Sequence, residues 1–225
     1  MIKIKDKEID VQYLGLVDYA HAWQVQRDLF DKLNEAKIAG REGEMTILLL
    51  EHPHVYTMGM HGNMKNLLFN DEFLKKIDAK YYVTERGGDV TYHGYGQLVG
   101  YPILDLEQLG MGIKQYIWSL EEDVIMTVAE YGIIASRVEG SVGVWLDVNT
   151  PKERKICAIG VKASRYITMH GFALNLTTNL DYFSYINPCG FIDKGVTSIE
   201  KETGFKPSIN EVGEKFVKHF TTVVG

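Results

Sequence analysis

The chain has 225 residues, 45% of them hydrophobic and 24% charged, a balance typical of a globular protein long enough to bury a substantial core. Its formal net charge of −6 argues against a nucleic-acid partner, and an acidic macromolecule would need a local basic patch to dock. Two cysteines, Cys157 and Cys189, make no disulfide framework at this length and suit a reducing compartment. No apolar run nears the ~20 residues of a membrane span, and Met1 to Asp6 carries neither a signal-peptide core nor an Arg-rich presequence, so a cytoplasmic protein without membrane attachment is expected.

In chain order, Val11 to Leu16 reads as a strand. Asp18 caps a helix with Tyr19, Trp23, Phe30 and Leu33 on one face, ended by Gly40 to Gly43. Met45 to Leu50, unbroken and apolar, reads as a buried central strand. Asn70 or Asp71 starts a short helix through Lys76, and a glycine-rich stretch runs from Arg86 to Gly96. Leu98 to Leu104 is a strand that Pro102 places at an edge or brings to its end. Lys114 to Tyr131 is a helix with Tyr116, Leu120, Val124 and Val128 in one stripe, closed by Gly132. Four strands follow: Ile133 to Val138, Val142 to Val148, Lys155 to Val161 and Tyr166 to Leu176, with a polar hairpin turn over Asn149 to Arg154. Ser208 to Glu211 is a capping box opening a last helix with Val212, Phe216 and Phe220 inward. Without repeats or long linkers, this order implies one α+β domain over 1–225, with a mixed, largely antiparallel sheet, flanking helices and a smaller helical part from about 200.

Four segments carry candidate chemistry. Arg86-Gly87-Gly88-Asp89-Val90-Thr91-Tyr92-His93-Gly94 brings glycines, which let a backbone approach a ligand closely, beside polar side chains; a plain glycine-rich hairpin accounts for it equally well. It is neither a phosphate loop nor a dinucleotide fingerprint. Lys155 opens a strand of small and aliphatic residues, Ala158-Ile159-Gly160 among them, where it either snorkels to solvent or sits at a partly dry pocket that eases loss of its proton. Cys189, between Pro188 and Gly190, is placed on a turn and is a better nucleophile candidate than Cys157 within its apolar strand. Along His170-Gly171-Phe172-Ala173-Leu174, Phe172 and Leu174 share one face while Gly171 and Ala173 leave room on the other, for a chain or simply for packing. No metal-binding spacing occurs, and no metal is expected.

Together and in this order, these segments resemble the lipoyl(octanoyl) transferase family, also called lipoate-protein ligase B. The resemblance rests on Leu50-Glu51-His52-Pro53 with Val55 to Gly59, on Arg86-Gly87-Gly88 with Thr91 to Gly94 and Gly96-Gln97, and on Gly143-Val144-Trp145. Lys155 with Ala158 to Val161, Gly171 to Asn175, Pro188-Cys189-Gly190 and Val196 to Ser198 complete it. It implies a fold like that of biotin and lipoate ligases, Cys189 as acyl acceptor with Lys155 as its partner, and an acyl site lined by Arg86 to His93, Ala158 to Gly160 and Gly171 to Ala173. It implies octanoyl-acyl carrier protein as donor, and lipoyl domains of 2-oxoacid dehydrogenase complexes and the glycine cleavage H protein as acceptors. Because a thioester is already activated, no cofactor is expected. Backbone amides near Gly87, Gly88, Gly160 or Gly190 are oxyanion candidates, each worth ~3 kcal/mol in such sites. Cys157 departs from the small residue common there. The competing readings are an ATP-dependent ligase of the same fold, a non-catalytic acyl-binding module and a cysteine thioesterase.

Overall fold

In the computed structural model, which describes residues 1–187 and 194–225, the chain opens with an antiparallel pair, β1 (Ile2–Ile4) and β2 (Lys7–Leu16). The Asp18 carboxylate accepts from the Ala20 amide and starts α1 (Tyr19–Ile38), satisfying one of the orphan donors of its first turn. β3 (Met45–Glu51) is buried from Met45 to Leu50, as its unbroken apolar run requires. Next come β4 (Val55–Met58), α2 (Asp71–Lys76) capped by Asn70, β5 (Lys80–Val83), β6 (Val90–His93) and β7 (Gln97–Ile103). α3 (Ile113–Ala129) precedes β8 (Ser136–Val138), β9 (Ser141–Leu146), β10 (Arg154–Ser164) and β11 (Ile167–Asn175). The chain closes with β12 (Gly195–Val196), α4 (Ile199–Thr203) and α5 (Ile209–Val224), the last capped by Ser208 accepting from the Glu211 amide.

The main sheet runs β1-β2-β3-β7-β11-β10-β9-β8, with β12 added to β10; a small sheet runs β5-β4-β6. Pairing is parallel at β2–β3, β4–β5 and β10–β12 and antiparallel at the other paired strands, the mixed α+β architecture expected. The stripe of α3 and the inward face of α5 bury Leu120, Val124, Phe216 and Phe220 completely in one cluster with β3, β7 and β11. Phe172 of β11 meets Phe216 with ring centres 4.3 Å apart. Cys157 lies in this cluster, and burial pushes its thiol well above the ordinary range, as suits a small buried hydrophobe.

Three local readings are corrected. β7 is not an edge strand, since it lies between β3 and β11, but it does end at Ile103, one residue after Pro102. Pro102 is tolerated there because the β7–β11 ladder covers only Gln97 to Gly100, and beyond it Thr168 Oγ1 donates to the Pro102 carbonyl at 2.7 Å. Tyr166 belongs to no strand. Arg165 and Tyr166, at φ 50° and 66°, form the tight turn between β10 and β11, without the Asn-Gly chemistry that usually announces such a turn. Val55 to Met58, read only as part of a motif, is the central strand of the small sheet.

Removing the ring at the centre of this core is the direct test of its packing. Phe216→Ala should lower unfolding free energy by about 3–5 kcal/mol in urea titration, by lost burial and an uncollapsed cavity.

Candidate active site

The register of β10 on β11 sets Ala158 opposite Ala173 and Gly160 opposite Gly171. Small residues therefore run side by side along two neighbouring strands, and space is left where larger side chains would fill it. A cavity of about 400 Å³ lies over them, bordered by Arg86 to Thr91 on one side and by Ile117, Val142, Trp145, Lys155 and Phe183 on the other. That volume is within the usual range of small-molecule sites, ~300–1,000 Å³. Gly171 does not give the room expected of it: a Cβ there would collide with the Gly100 carbonyl, so this glycine permits close strand approach.

Arg86 builds the roof. Its guanidinium, largely buried, donates to Thr57 O at 2.6 Å, to Thr57 Oγ1 at 3.0 and 3.1 Å, to Asp89 O at 2.8 Å and to Gly87 O at 3.0 Å. The loop it folds is stitched to its surroundings by backbone hydrogen bonds. Gly59, Met60 and His61 amides donate to Asp89, Arg86 and Gly88 carbonyls, and the Gly87 amide donates to Val161 O of β10 at 2.9 Å. The Gly87 N–H is thus already engaged and does not serve as an oxyanion donor in this geometry. Strand alternation in β6 turns Thr91 and His93 to the cavity side, while Tyr92 joins the small-sheet cluster with Tyr56 and Val90, at the strand's start, borders both. Tyr92 hydrogen-bonds His54 at 2.7 Å and does not line the cavity.

The Asp89 carboxylate ties the loop at the cavity's edge to its neighbours. It accepts from the Asn63 and Val90 amides, at 3.1 and 2.7 Å, and from the Asn66 side chain. Asn66 in turn accepts from the Asn187 amide at 2.9 Å, and Leu67 bridges to Ile186. The roof loop thereby fixes the chain just before Pro188. Downstream, β12 pairs with Arg154 and Lys155 of β10, and the Thr197 amide donates to Lys155 O at 2.9 Å. Cys189 itself lies outside the described residues. Lys155 Nζ sits over the Trp145 indole, 4.4 Å from its centre, and Lys194 approaches the same indole at 5.0 Å while pairing with Glu153.

A buried polar relay crosses the cavity wall. Gln97 Nε2 donates to Tyr92 O and to Asn175 Oδ1, so its Oε1 faces His93 Nδ1 at 2.9 Å. His93 therefore carries its proton on Nδ1 and presents a bare Nε2 toward the Thr57 hydroxyl, 3.5 Å away. Burial, with His52 and Arg86 nearby, holds its pKa well below the ordinary histidine value and keeps the ring neutral. The two hydrogen-bonding contacts fix the orientation of the neutral ring. Asn175 continues the relay to Thr197 O at 2.9 Å.

Comparison with known proteins decides the relationship. Residues 18–221 match the model of the lipoyl protein ligase A/B catalytic domain. The chain belongs to that family. It is 54% identical over 201 residues to an octanoyltransferase of Bacteroides thetaiotaomicron, covering 89% of this chain and 88% of the relative. It is 50% identical over 223 residues to an octanoyltransferase of Flavobacterium johnsoniae, covering 96% of each. In fold it matches a bipartite lipoate protein ligase of Thermoplasma acidophilum (TM-score 0.68, 16% identity, 96% of this chain and 84% of that one). It also matches a biotin protein ligase of Aquifex aeolicus (TM-score 0.51, 14% identity, 96% and 70%).

Within this family member, Arg86 to Thr91, Lys155, Ala158 to Gly160 and Ala173 meet at one cavity, and His93, Gly171 and Phe172 border its inner end. Sequence reasoning had not singled out Thr57, Gln97, Trp145 or Asn175 as site residues. The signal for two of them was a polar residue inside an apolar strand, Gln97 before Leu98-Val99 and Asn175 between Leu174 and Leu176. Among the described residues no group of His, Cys, Asp or Glu is arranged to hold a metal, and no helix is long and apolar enough to cross a membrane.

The buried histidines make a pH prediction. Burial lowers His52 to about 4 and His170 to about 3. The unfolded chain binds these protons near pH 6.5, the folded chain only well below it, so stability is full above ~6.5 and falls with acid. Urea titrations at pH 7.5 and pH 5 should differ by on the order of 2 kcal/mol for each such histidine, less other titrating groups; His52→Gln, tested at both pH values, should show a smaller loss.

Proposed function

We propose that this chain transfers an octanoyl group from octanoyl-acyl carrier protein, through a Cys189 thioester, to the amino group of a lysine on lipoyl domains. The acceptors are those of 2-oxoacid dehydrogenase complexes and the glycine cleavage H protein, and the compartment is the cytoplasm. The observation that carries the reading is Lys155 at the rim of a cavity floored by Ala158, Gly160 and Ala173. The chain on either side of Cys189 reaches that cavity through Phe183 and Lys194. Relatives of half-identical sequence named octanoyltransferase support it, as does the likeness in fold to a lipoate protein ligase.

In this mechanism the Cys189 thiolate attacks the donor thioester carbonyl. The new C–S bond forms as the bond to the carrier's sulfur breaks, and the carrier leaves as a thiol with the proton given up by Cys189. A free thiol, with a pKa of ~8.5, is mostly protonated at neutral pH, and Lys155 favours the thiolate as a neighbouring ammonium or takes the proton when neutral. The indole of Trp145 holds Lys155 Nζ in place. In the second half, the acceptor lysine attacks the acyl-enzyme, an amide C–N bond forms as the C–S bond to Cys189 breaks, and Lys155 relays the amine's proton to the departing Cys189 sulfur. The donor is already activated, so adenylation contributes nothing to this route and neither ATP nor another cofactor enters it.

Intact mass after incubation with octanoyl-carrier protein, without ATP, tests the reading. Wild type and Cys157→Ser should each gain one octanoyl group, and Cys189→Ser should gain no thioester. Lys155→Met should acylate ~10²–10⁴-fold more slowly. An adduct that forms only when ATP and free octanoate are supplied would make the chain a ligase and remove Cys189 from its role.

A further inference from the structure

Glu121 is a buried carboxylate that the mechanism above does not use. It stands on α3 one turn after Ile117, so both lie on one face of the helix, and Ile117 borders the cavity. Both carboxylate oxygens are engaged. Oε1 accepts from the Gly143 amide of β9 at 2.9 Å, and Oε2 accepts from Arg137 Nε of β8 at 3.1 Å. Arg137 also donates to Glu122 and to the Trp118 carbonyl, and its guanidinium lies 4.5 Å from the centre of the Trp118 ring. The cation that lets Glu121 be buried is thus itself held by α3.

The bond to Gly143 falls where the β9–β10 ladder is irregular. Lys155 pairs with Trp145 and Cys157 with Val144, so β10 carries one extra residue there. A bulge of this kind re-aims side chains and is common next to active sites. A regular strand would turn Lys155 and Cys157 to one face. Here they are separated: Lys155 borders the cavity, and Cys157 is buried in the main core. Gly143 has a φ of 125°, a conformation that favours glycine, and its buried amide donates to Glu121. A Cβ on Gly143 would stand 2.7 Å from Cys157 O and 3.4 Å from Lys155 Cε, so the backbone of β9 lies directly against the lysine's stem.

We propose that Glu121 is a positioning residue for Lys155: by holding the Gly143 amide it fixes the bulged junction and the glycine bed on which the lysine stem lies. This rests on the reading of Lys155 as partner of the nucleophile. A lysine carries its charge on a flexible four-carbon stem, and the Trp145 ring restrains only the tip. The Glu121–Gly143 bond restrains the backbone beneath the stem. Without the carboxylate the buried Gly143 amide is left unpaired, and the junction relieves this by shifting, carrying the lysine with it.

The test is a double-mutant cycle on the rate of acyl-enzyme formation from octanoyl-carrier protein, in wild type, Glu121→Ala, Lys155→Met and the double variant, with Glu121→Gln alongside. Glu121→Ala should slow acylation about ten- to a hundredfold, the scale on which a small displacement of a reacting group acts. Added to Lys155→Met, the same change should cost less than about twofold, because the lysine through which it acts is gone. Glu121→Gln, which keeps an oxygen for the Gly143 amide, should recover most of the loss. If Glu121→Ala does not fold, Gly143→Ala, which displaces the same amide, takes its place in the cycle. An unchanged rate in the folded variant, equal losses with and without Lys155, or no recovery by Glu121→Gln overturns the inference and leaves the transfer reading intact. A Lys155→Met enzyme that acylates at the wild-type rate overturns the reading of Lys155 and this inference with it.

Discussion

A buried guanidinium holds this site together. Removing a cation from water is costly unless its donors are satisfied, and Arg86 meets that requirement by folding its own loop around itself. The Thr57, Gly87 and Asp89 carbonyls all accept from it. With those carbonyls fixed, the Gly87 amide reaches Val161 on the main sheet, and the small sheet becomes a roof over the large one. Asp89, next in the same loop, is thereby fixed against Asn66, and Asn66 against Asn187. One charge thus sets both the height of the cavity and the point at which the chain enters the segment carrying Cys189.

The floor depends on a different constraint, the register of two antiparallel strands. A one-residue slip would bring Cys157 and Ile159 opposite Ala173 and Gly171 and replace the small-residue pairs with bulk. The tight turn at Arg165-Tyr166, which joins the two strands, pins that register. Lys155 occupies the end of β10 where the ladder to β9 shifts, and Trp145, directly across it, takes the ammonium on its ring face. Such a contact is worth ~0.5–2 kcal/mol, enough to restrict a flexible lysine.

Much of the fold was legible because it rests on periodicity and capping. The Asp18, Asn70 and Ser208 caps and the Tyr116–Val128 stripe stand where the pattern put them. Reading failed where tertiary context overrode a local rule. Pro102 sits in a central strand because a threonine hydroxyl replaces the missing ladder, and Arg165-Tyr166 turns without the usual turn residues. In the site, residue types and order pointed to Arg86, Lys155 and the Ala158–Gly160 run, but gave their company without their roles. Asp89 and Tyr92 look like ligand contacts in a linear motif. In three dimensions Tyr92 fills the small core because β6 alternates faces, while Asp89 borders the cavity and also holds backbone. The relay from His93 through Gln97 to Asn175 joins residues up to 82 positions apart, and no spacing rule reaches that far.

The account turns on a covalent intermediate that is competent to deliver its acyl group. The most direct measurement isolates enzyme charged with labelled octanoate, free of donor and nucleotide, adds apo lipoyl domain and follows the label in a single turnover. Label should pass from a hydroxylamine-sensitive thioester to a stable amide on the domain at least as fast as steady-state turnover. Label that stays on the enzyme, escapes as free octanoate or moves only when ATP is added would contradict it.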